Sequence, residues 1–328
     1  VLRNCSTEGS FSGGGKNSGG LIGSFFSGGS GSLVENCRVM ITILAVPTTD
    51  YHGGLVGSFS QAGTNNITIR NCHVEGSLAL EGTKGNIGGI LGANWNGATG
   101  SVIEGCSFIG SIKTQASGNG GSFIGGIIGY TQSITVRNCW TDGEISQCNY
   151  GIGGIAGCVY QNCLIQNCFS RMAITARHGH GGIAGRADNN SNDSNDTTGY
   201  DDTFDGCIAW NEKIVSRMNI ASGNLSAGAI VGKTVSLNTH RNCWRRNDMT
   251  FTCFTDGQYN VLFDMPDNDS STPLDYSAST AEPRKLGLYY WPYHGKSSNG
   301  QTASDIARTI GWDETVWDLS GSEPRLRK

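Results

Sequence analysis

The sequence predicts an all-β fold: a right-handed parallel β-helix of about seven to eight coils, with an irregular C-terminal cap containing one short helix. Three observations carry this reading. Eight cysteines recur in one context at gaps of 29 to 39 residues: Cys5, Cys37, Cys72, Cys106, Cys139, Cys168, Cys207 and Cys243. The residue before each is Asn or Gly. A glycine-rich segment of the form Gly-Gly-Ile-x-Gly follows in most repeats. Such units cannot bury their own apolar faces and must stack on their neighbours.

The corner comes first. Asn4, Asn36, Asn71, Gly105, Asn138, Asn167, Gly206 and Asn242 precede the eight cysteines. Asn and Gly are the residues that best tolerate a left-handed backbone. Three residues before each cysteine stand Leu2, Val34, Ile69, Ile103, Val136, Ile165, Phe204 and His240. Six residues after it stand Phe11, Ile43, Leu78, Ile112, Ile145, Ile174, Lys213 and Met249. The inward parity is odd before the cysteine and even after it. A strand alternates with period two, so this change requires a bend.

The thin strand comes next, as Gly19-Gly20-Leu21-Ile22-Gly23, Gly53-Gly54-Leu55-Val56-Gly57 and Gly88-Gly89-Ile90-Leu91-Gly92. It recurs at Gly125, Gly153 and Gly181, and in degraded form at Ala227-Gly228-Ala229-Ile230-Val231-Gly232. Glycine here implies close approach of another backbone. The stack that accommodates strand, corner, strand and thin strand is a parallel β-helix with coils ~4.8 Å apart. Right-handed winding is the default for parallel crossovers. A propeller is the alternative for ~40-residue periods. The repeats occupy residues 1–244, and a non-repeat capping region occupies 245–328.

Composition narrows the function. The chain has 328 residues, with 50 glycines, 15% charged residues and a net charge of −4. Low charge and ample apolar content argue against disorder. No apolar run approaches the ~20 residues of a membrane span. No basic block suggests nucleic acid. The chain opens at Val1-Leu2-Arg3-Asn4-Cys5, in mid-repeat, which predicts a piece of a longer precursor whose export signal lies elsewhere.

The Asn-Cys and Gly-Gly-Ile-x-Gly repeat resembles the GLUG repeat of bacterial surface proteins. The tail resembles the closing segment that follows such repeats: Thr302-Ala303-Ser304-Asp305-Ile306, Gly311-Trp312-Asp313, Val316-Trp317-Asp318 and Pro324-Arg325-Leu326. The resemblance implies an adhesin-like surface protein of Bacteroides type, extracellular or at the cell surface, with outer-membrane anchoring through a preceding segment. Such repeats occur in adhesins and in IgA-directed metallopeptidases. The zinc-peptidase helix motif of the latter is absent, since no His is followed by Glu.

Stacked cysteines would have Cβ atoms ~4.8 Å apart, beyond the ~3.8 Å mean of a disulfide. A buried ladder of free thiols is therefore expected. Two residues before each lie Arg3, Glu35, Arg70, Glu104, Arg137, Gln166, Asp205 and Arg241. Their signs alternate over the first five coils, which predicts a cross-coil charge ladder on the outer surface.

Candidate chemistry is sparse. Asp142 and Glu144 stand two apart on one strand, ~6.7 Å along it, a separation compatible with an inverting glycosidase pair. No cofactor is expected unless Asp193, Asn195, Asp201 and Asp202, in an acidic insertion from 188 to 205, supply oxygen ligands for calcium; the plainer reading of that insertion is a solvated loop. His178-Gly179-His180 lacks companions at metal-ligand spacing. Tyr289, Tyr290, Trp291 and Tyr293 form the densest aromatic stretch, read either as a stacking surface for a glycan or protein or as a lid on the last coil. Thr302 with Asp305 predicts a capped helix. Trp312 and Trp317 read as buried anchors. The expected function is a non-catalytic, monomeric surface module, an adhesin or spacer presenting loops to a glycan or protein. The alternative is a polysaccharide lyase or glycoside hydrolase on the same scaffold.

Overall fold

In the computed structural model the repeats wind into a parallel β-helix. The structure describes residues 1–12, 16–25, 29–45, 51–59, 65–80, 85–94, 98–114, 123–188, 201–219, 227–234, 238–255, 258–261 and 291–327. One face is an eight-stranded sheet of short parallel strands: Leu2–Arg3, Leu33–Glu35, Thr68–Arg70, Ser101–Glu104, Ile134–Arg137, Leu164–Gln166, Thr203–Asp205 and Thr239–Arg241. A second sheet carries the longer strands after the corner. A third carries the thin strands, Ile22–Phe25 through Val231–Thr234.

Register is kept coil after coil. Leu2, Val34, Ile69, Ile103, Val136, Ile165, Phe204 and His240 are successive partners in the first sheet. From Val34 onward they are buried. The corners hold the registers in phase. All eight corner residues have φ between 50° and 64°. The N–H of each of the first seven corners donates to a carbonyl of the following coil, as Asn71 N does to Glu104 O at 3.0 Å. The bend thus costs no backbone hydrogen bond. Asn71→Val is expected to lower stability by about 2–3 kcal/mol in denaturant unfolding, because a β-branched residue fits positive φ poorly. Asn71→Gly should be nearly neutral.

The second sheet departs from the expected spacing in its last two coils. Ile174 pairs with Ile214, and Ile214 with Phe251. Lys213 is exposed, not inward. Each of these coils carries one more residue than the coil before it between its two strand pieces. The extra length of the seventh is absorbed where Asn211 turns inward and donates to Met172 O at 2.6 Å. Parity is restored, and the apolar column runs on from Phe11 to Phe251.

The thiols form the predicted ladder, and the described cysteines are free. Each sulfur from Cys72 onward sits near two carbonyls. Cys106 Sγ lies 3.3 Å from Glu104 O and 3.7 Å from Ile69 O of the previous coil. Burial pushes the thiols of Cys139, Cys168, Cys207 and Cys243 up. They serve as small buried side chains with weak donors.

The C-terminal region closes the helix in two ways. Tyr293 and Trp291 pair antiparallel with the last thin strand, while Lys296–Ser297 adds a parallel strand beside Trp244–Arg245. Beyond them the helix Ala303–Thr309 packs sideways on an outward row of Phe169, Ile208 and Trp244, with Trp140 alongside. Thr302 caps that helix as predicted, accepting from Asp305 N at 3.1 Å. Trp312 Nε1 donates to Gly206 O at 3.0 Å, and Trp317 Nε1 reaches Asn138 Oδ1 at 3.4 Å. The final segment is therefore keyed to the corner ladder itself.

Candidate functional site

The charge ladder is formed. Arg3 and Arg70 both bind Glu35, Arg137 binds Glu104 at 2.6 Å, and Asp205 receives Gln166 and Arg241 at 3.2 Å. Arg70, then Arg3, holds the Glu35 carboxyl below its usual range. The ladder's carboxylates are each matched by a neighbour, so the strip fixes register rather than offering free charges. Exposed pairs of this kind contribute at most about 1 kcal/mol each.

Asp142 is engaged elsewhere. Arg171 grips it at 3.0 Å and also binds Glu323 of the C-terminal segment. Its other neighbour is the Gly143 N–H, at 2.9 Å. Glu144 is exposed and accepts from Ser146 Oγ at 3.2 Å. Arg171 thus ties the tail to the helix, and its guanidinium occupies Asp142 against use as a general acid.

Of the aromatic stretch, Tyr289 and Tyr290 lie outside the described residues. So does the side chain of Trp291, whose backbone forms a strand. Tyr293 is buried, with its ring 4.4 Å from that of His240, which stacks on Phe204 at 5.4 Å. This is a correction to the surface reading for Tyr293: it lids the apolar column where no further coil follows. Beside it His294 is also buried, and burial lowers its pKa to about 3.

The acidic insertion divides. Asp193 and Asn195 lie outside the described residues. Asp201 is exposed. Asp202 is turned into the core at 0% exposure, where its Oδ1 accepts Cys163 N at 2.9 Å. It is therefore lost to any ligand set in the loop. Its Oδ2 has no hydrogen-bond partner among the described residues. Burial raises its pKa to about 7, with Asp201 and Asp188 adding to the effect. Asp188 is buried too, in a triad with Arg186 (2.7 Å) and Lys233 (2.7 Å), and Arg186 lies over the Tyr150 ring at 4.4 Å. His180 is buried and stacked near Phe251. Among the described residues no three His, Cys, Asp or Glu side chains are grouped to hold a metal ion.

One concavity escaped the reading of the sequence. A groove of about 330 Å3 opens between the β-helix and the docked tail. Trp210 lines it, together with Arg246 and Asp248 of the eighth coil and Gln301 and Glu323 of the tail. The sequence signal was present in the residue just after each ladder cysteine. It is Ser6, Arg38, His73 and Ser107 in four coils, then Trp140, Phe169, Ile208 and Trp244 in the next four. That switch from polar to apolar on an outward position marks where the tail lies, and hence where its edge makes a groove.

No family model matches the chain. Over 176 residues it is 28% identical to an immunoglobulin A1 protease of Streptococcus pneumoniae, a match covering 53% of this chain and 8% of that protein. Over 151 residues it is 30% identical to halomucin of Haloquadratum walsbyi, covering 44% of this chain and 2% of that protein. The chain spans less than a tenth of the length of these curated relatives. The crystal structure of a proposed immunoglobulin A1 protease from Bacteroides ovatus superposes with a TM-score of 0.59 at 19% identity, covering 98% of this chain and 86% of that one. At that identity the likeness is one of fold, and it is to a chain of similar extent.

Proposed function

We propose that the chain is a non-catalytic β-helical module of an exported surface protein, a scaffold that holds grooves and loops along a rigid axis for a glycan or protein ligand. The observation that carries this reading is the character of the relatives. An immunoglobulin A1 protease and halomucin bear different names, yet each matches this chain over a small fraction of its own length. A segment that matches proteins of such different names is better suited to scaffolding than to peptide cleavage. Function must be argued from a site rather than from the fold, and the paired carboxylates considered for catalysis have other partners. An enzyme acting on immunoglobulin A meets its substrate outside the cell, which supports an extracellular place for the scaffold.

The test is direct. The purified chain is incubated with human immunoglobulin A1 and, separately, with a panel of polysaccharides. No new peptide fragments and no new reducing or unsaturated ends are expected, while retention on immobilised glycans or surface proteins is. Release of any product overturns the non-catalytic reading.

A further inference from the structure

We propose that the groove beside Trp210 binds a single neutral sugar residue. The proposal deepens the reading of a binding module and rests on it.

The groove joins distant parts of the chain. Trp210 is anchored by its backbone N–H to Ser170 O at 2.7 Å, and its half-buried ring packs at the margin of the tail's apolar cluster. Asp248 and Arg246 form one wall, and Gln301 and Glu323 come from the tail. A volume of about 330 Å3 lies at the small end of the ~300–1,000 Å3 range for ligand pockets. It suits a single sugar ring rather than a helix or strand of a protein.

Its chemistry is more selective than its size. A pyranose presents an apolar C–H face, which an indole ring matches, and a rim of hydroxyls, which need both donors and acceptors. Here the aromatic surface is Trp210. The acceptors are two carboxylates already fixed in place. Asp248 is gripped by Arg246 through both Nε and Nη2, the latter at 2.8 Å, and Glu323 is gripped by Arg171. Gln301 supplies an exposed amide with donor and acceptor ends. The ion pairs decide the charge of the ligand. Arg246 spends its fork on Asp248 and turns Nη1 toward Glu212 at 3.5 Å. The side-on fork is thus already taken, and the Asp248 and Glu323 carboxylates beside it oppose a further anion. Uronic and sialic acids are accordingly disfavoured against neutral hexoses and their N-acetyl derivatives. Because the walls come from the eighth coil and from the tail, a bound sugar should also stabilise the docked tail by mass action.

The full chain is examined by saturation-transfer NMR and tryptophan fluorescence with methyl glycosides of galactose, glucose, mannose and N-acetylglucosamine. N-acetylneuraminic and glucuronic acids serve as anionic comparators. At least one neutral glycoside is expected to bind saturably in the millimolar range and to raise the melting temperature. Trp210→Ala should abolish the signal and Trp210→Phe should retain part of it. Gln301→Ala alters an exposed side chain, so it should weaken binding about five-fold with the melting temperature of the free protein unchanged. The proposal fails if no neutral glycoside binds, if the anionic sugars bind better, or if binding survives both Trp210→Ala and Gln301→Ala. Absence of binding overturns the groove and leaves the scaffold reading intact. Cleavage of a bound glycoside would overturn the non-catalytic reading and leave the groove standing.

Discussion

Gly89→Val is expected to cost about 4 kcal/mol or more, enough to leave much of the chain unfolded at ordinary temperature. A Cβ built at Gly89 would stand 2.1 Å from Gly126 O and 2.3 Å from Phe108 Cγ. The same collision recurs along the stack: a Cβ at Gly54 meets Gly89 O at 2.2 Å, and one at Gly126 meets Gly154 O at 2.2 Å. The second glycine of each Gly-Gly pair, at the bend just before the thin strand, therefore lets one coil's backbone rest on the next. Relief by local movement is opposed, because the peptide units around the struck carbonyl are held in coil hydrogen bonds, Gly89 N to Gly125 O and Ile127 N to Ile155 O. The degraded last copy supports this account. Ala229 replaces the second glycine where the next segment is Tyr293 and His294, not another Gly-Gly pair, and its N–H donates to His294 Nδ1 at 3.2 Å. Gly321, whose Cβ would meet nothing closer than 3.9 Å, provides the control. Equilibrium unfolding in urea should show Gly321→Ala near wild type and Gly89→Val severely destabilised. A loss below about 1 kcal/mol at Gly89 would mean that the coils can spread apart, contrary to the close packing of interiors.

What the sequence disclosed follows from repetition. The corner, the thiol ladder and the thin strand are each written seven or eight times, so one constraint is sampled in many independent contexts. Asn71 alone suggests little, but eight Asn or Gly residues before eight cysteines specify a backbone angle. Where a coil departs from the pattern, that leverage disappears. The extra residue at Asn211 shifted the inward position from Lys213 to Ile214, and spacing from Cys207 could not locate it. Single events were harder still. Arg186, Asp188 and Lys233 look like surface residues in any window of sequence, and only the stacking of adjacent coils brings them together in a buried triad. Tyr293 reads equally well as an exposed aromatic or as a lid, and the ring of His240 beneath it settles the matter. The groove at Trp210 depends on a tail that returns to the helix from about 90 residues further along the chain, so its walls share no local pattern.

Asp202 gives the second large effect, and it runs opposite to ordinary acid denaturation. The carboxyl is buried, with one oxygen held by Cys163 N and the other without a hydrogen-bond partner among the described residues. Asn238 Oδ1 accepts the Asp202 N–H at 3.2 Å, so the backbone cannot easily swing the side chain outward. Burial raises the folded pKa to about 7, from an ordinary value of 3.8. Between those two values the folded state holds a proton that the unfolded state has released. Stability from this residue is thus fully present below about pH 4, falls as pH rises, and is exhausted once the folded carboxyl ionises near pH 7. A gap of about three units corresponds to a penalty on the order of 4 kcal/mol at pH 8. Asp202→Asn removes the charge while keeping the size and an acceptor for Cys163 N. The variant should match wild type within about 1 kcal/mol at pH 4 and exceed it by about 2–4 kcal/mol at pH 8, in urea unfolding of both proteins at each pH. Taking the difference between variant and wild type cancels the titration of every other carboxylate and histidine. A difference that stays constant between pH 4 and pH 8 would show that Asp202 is ionised throughout, with a cation or solvent reaching its Oδ2.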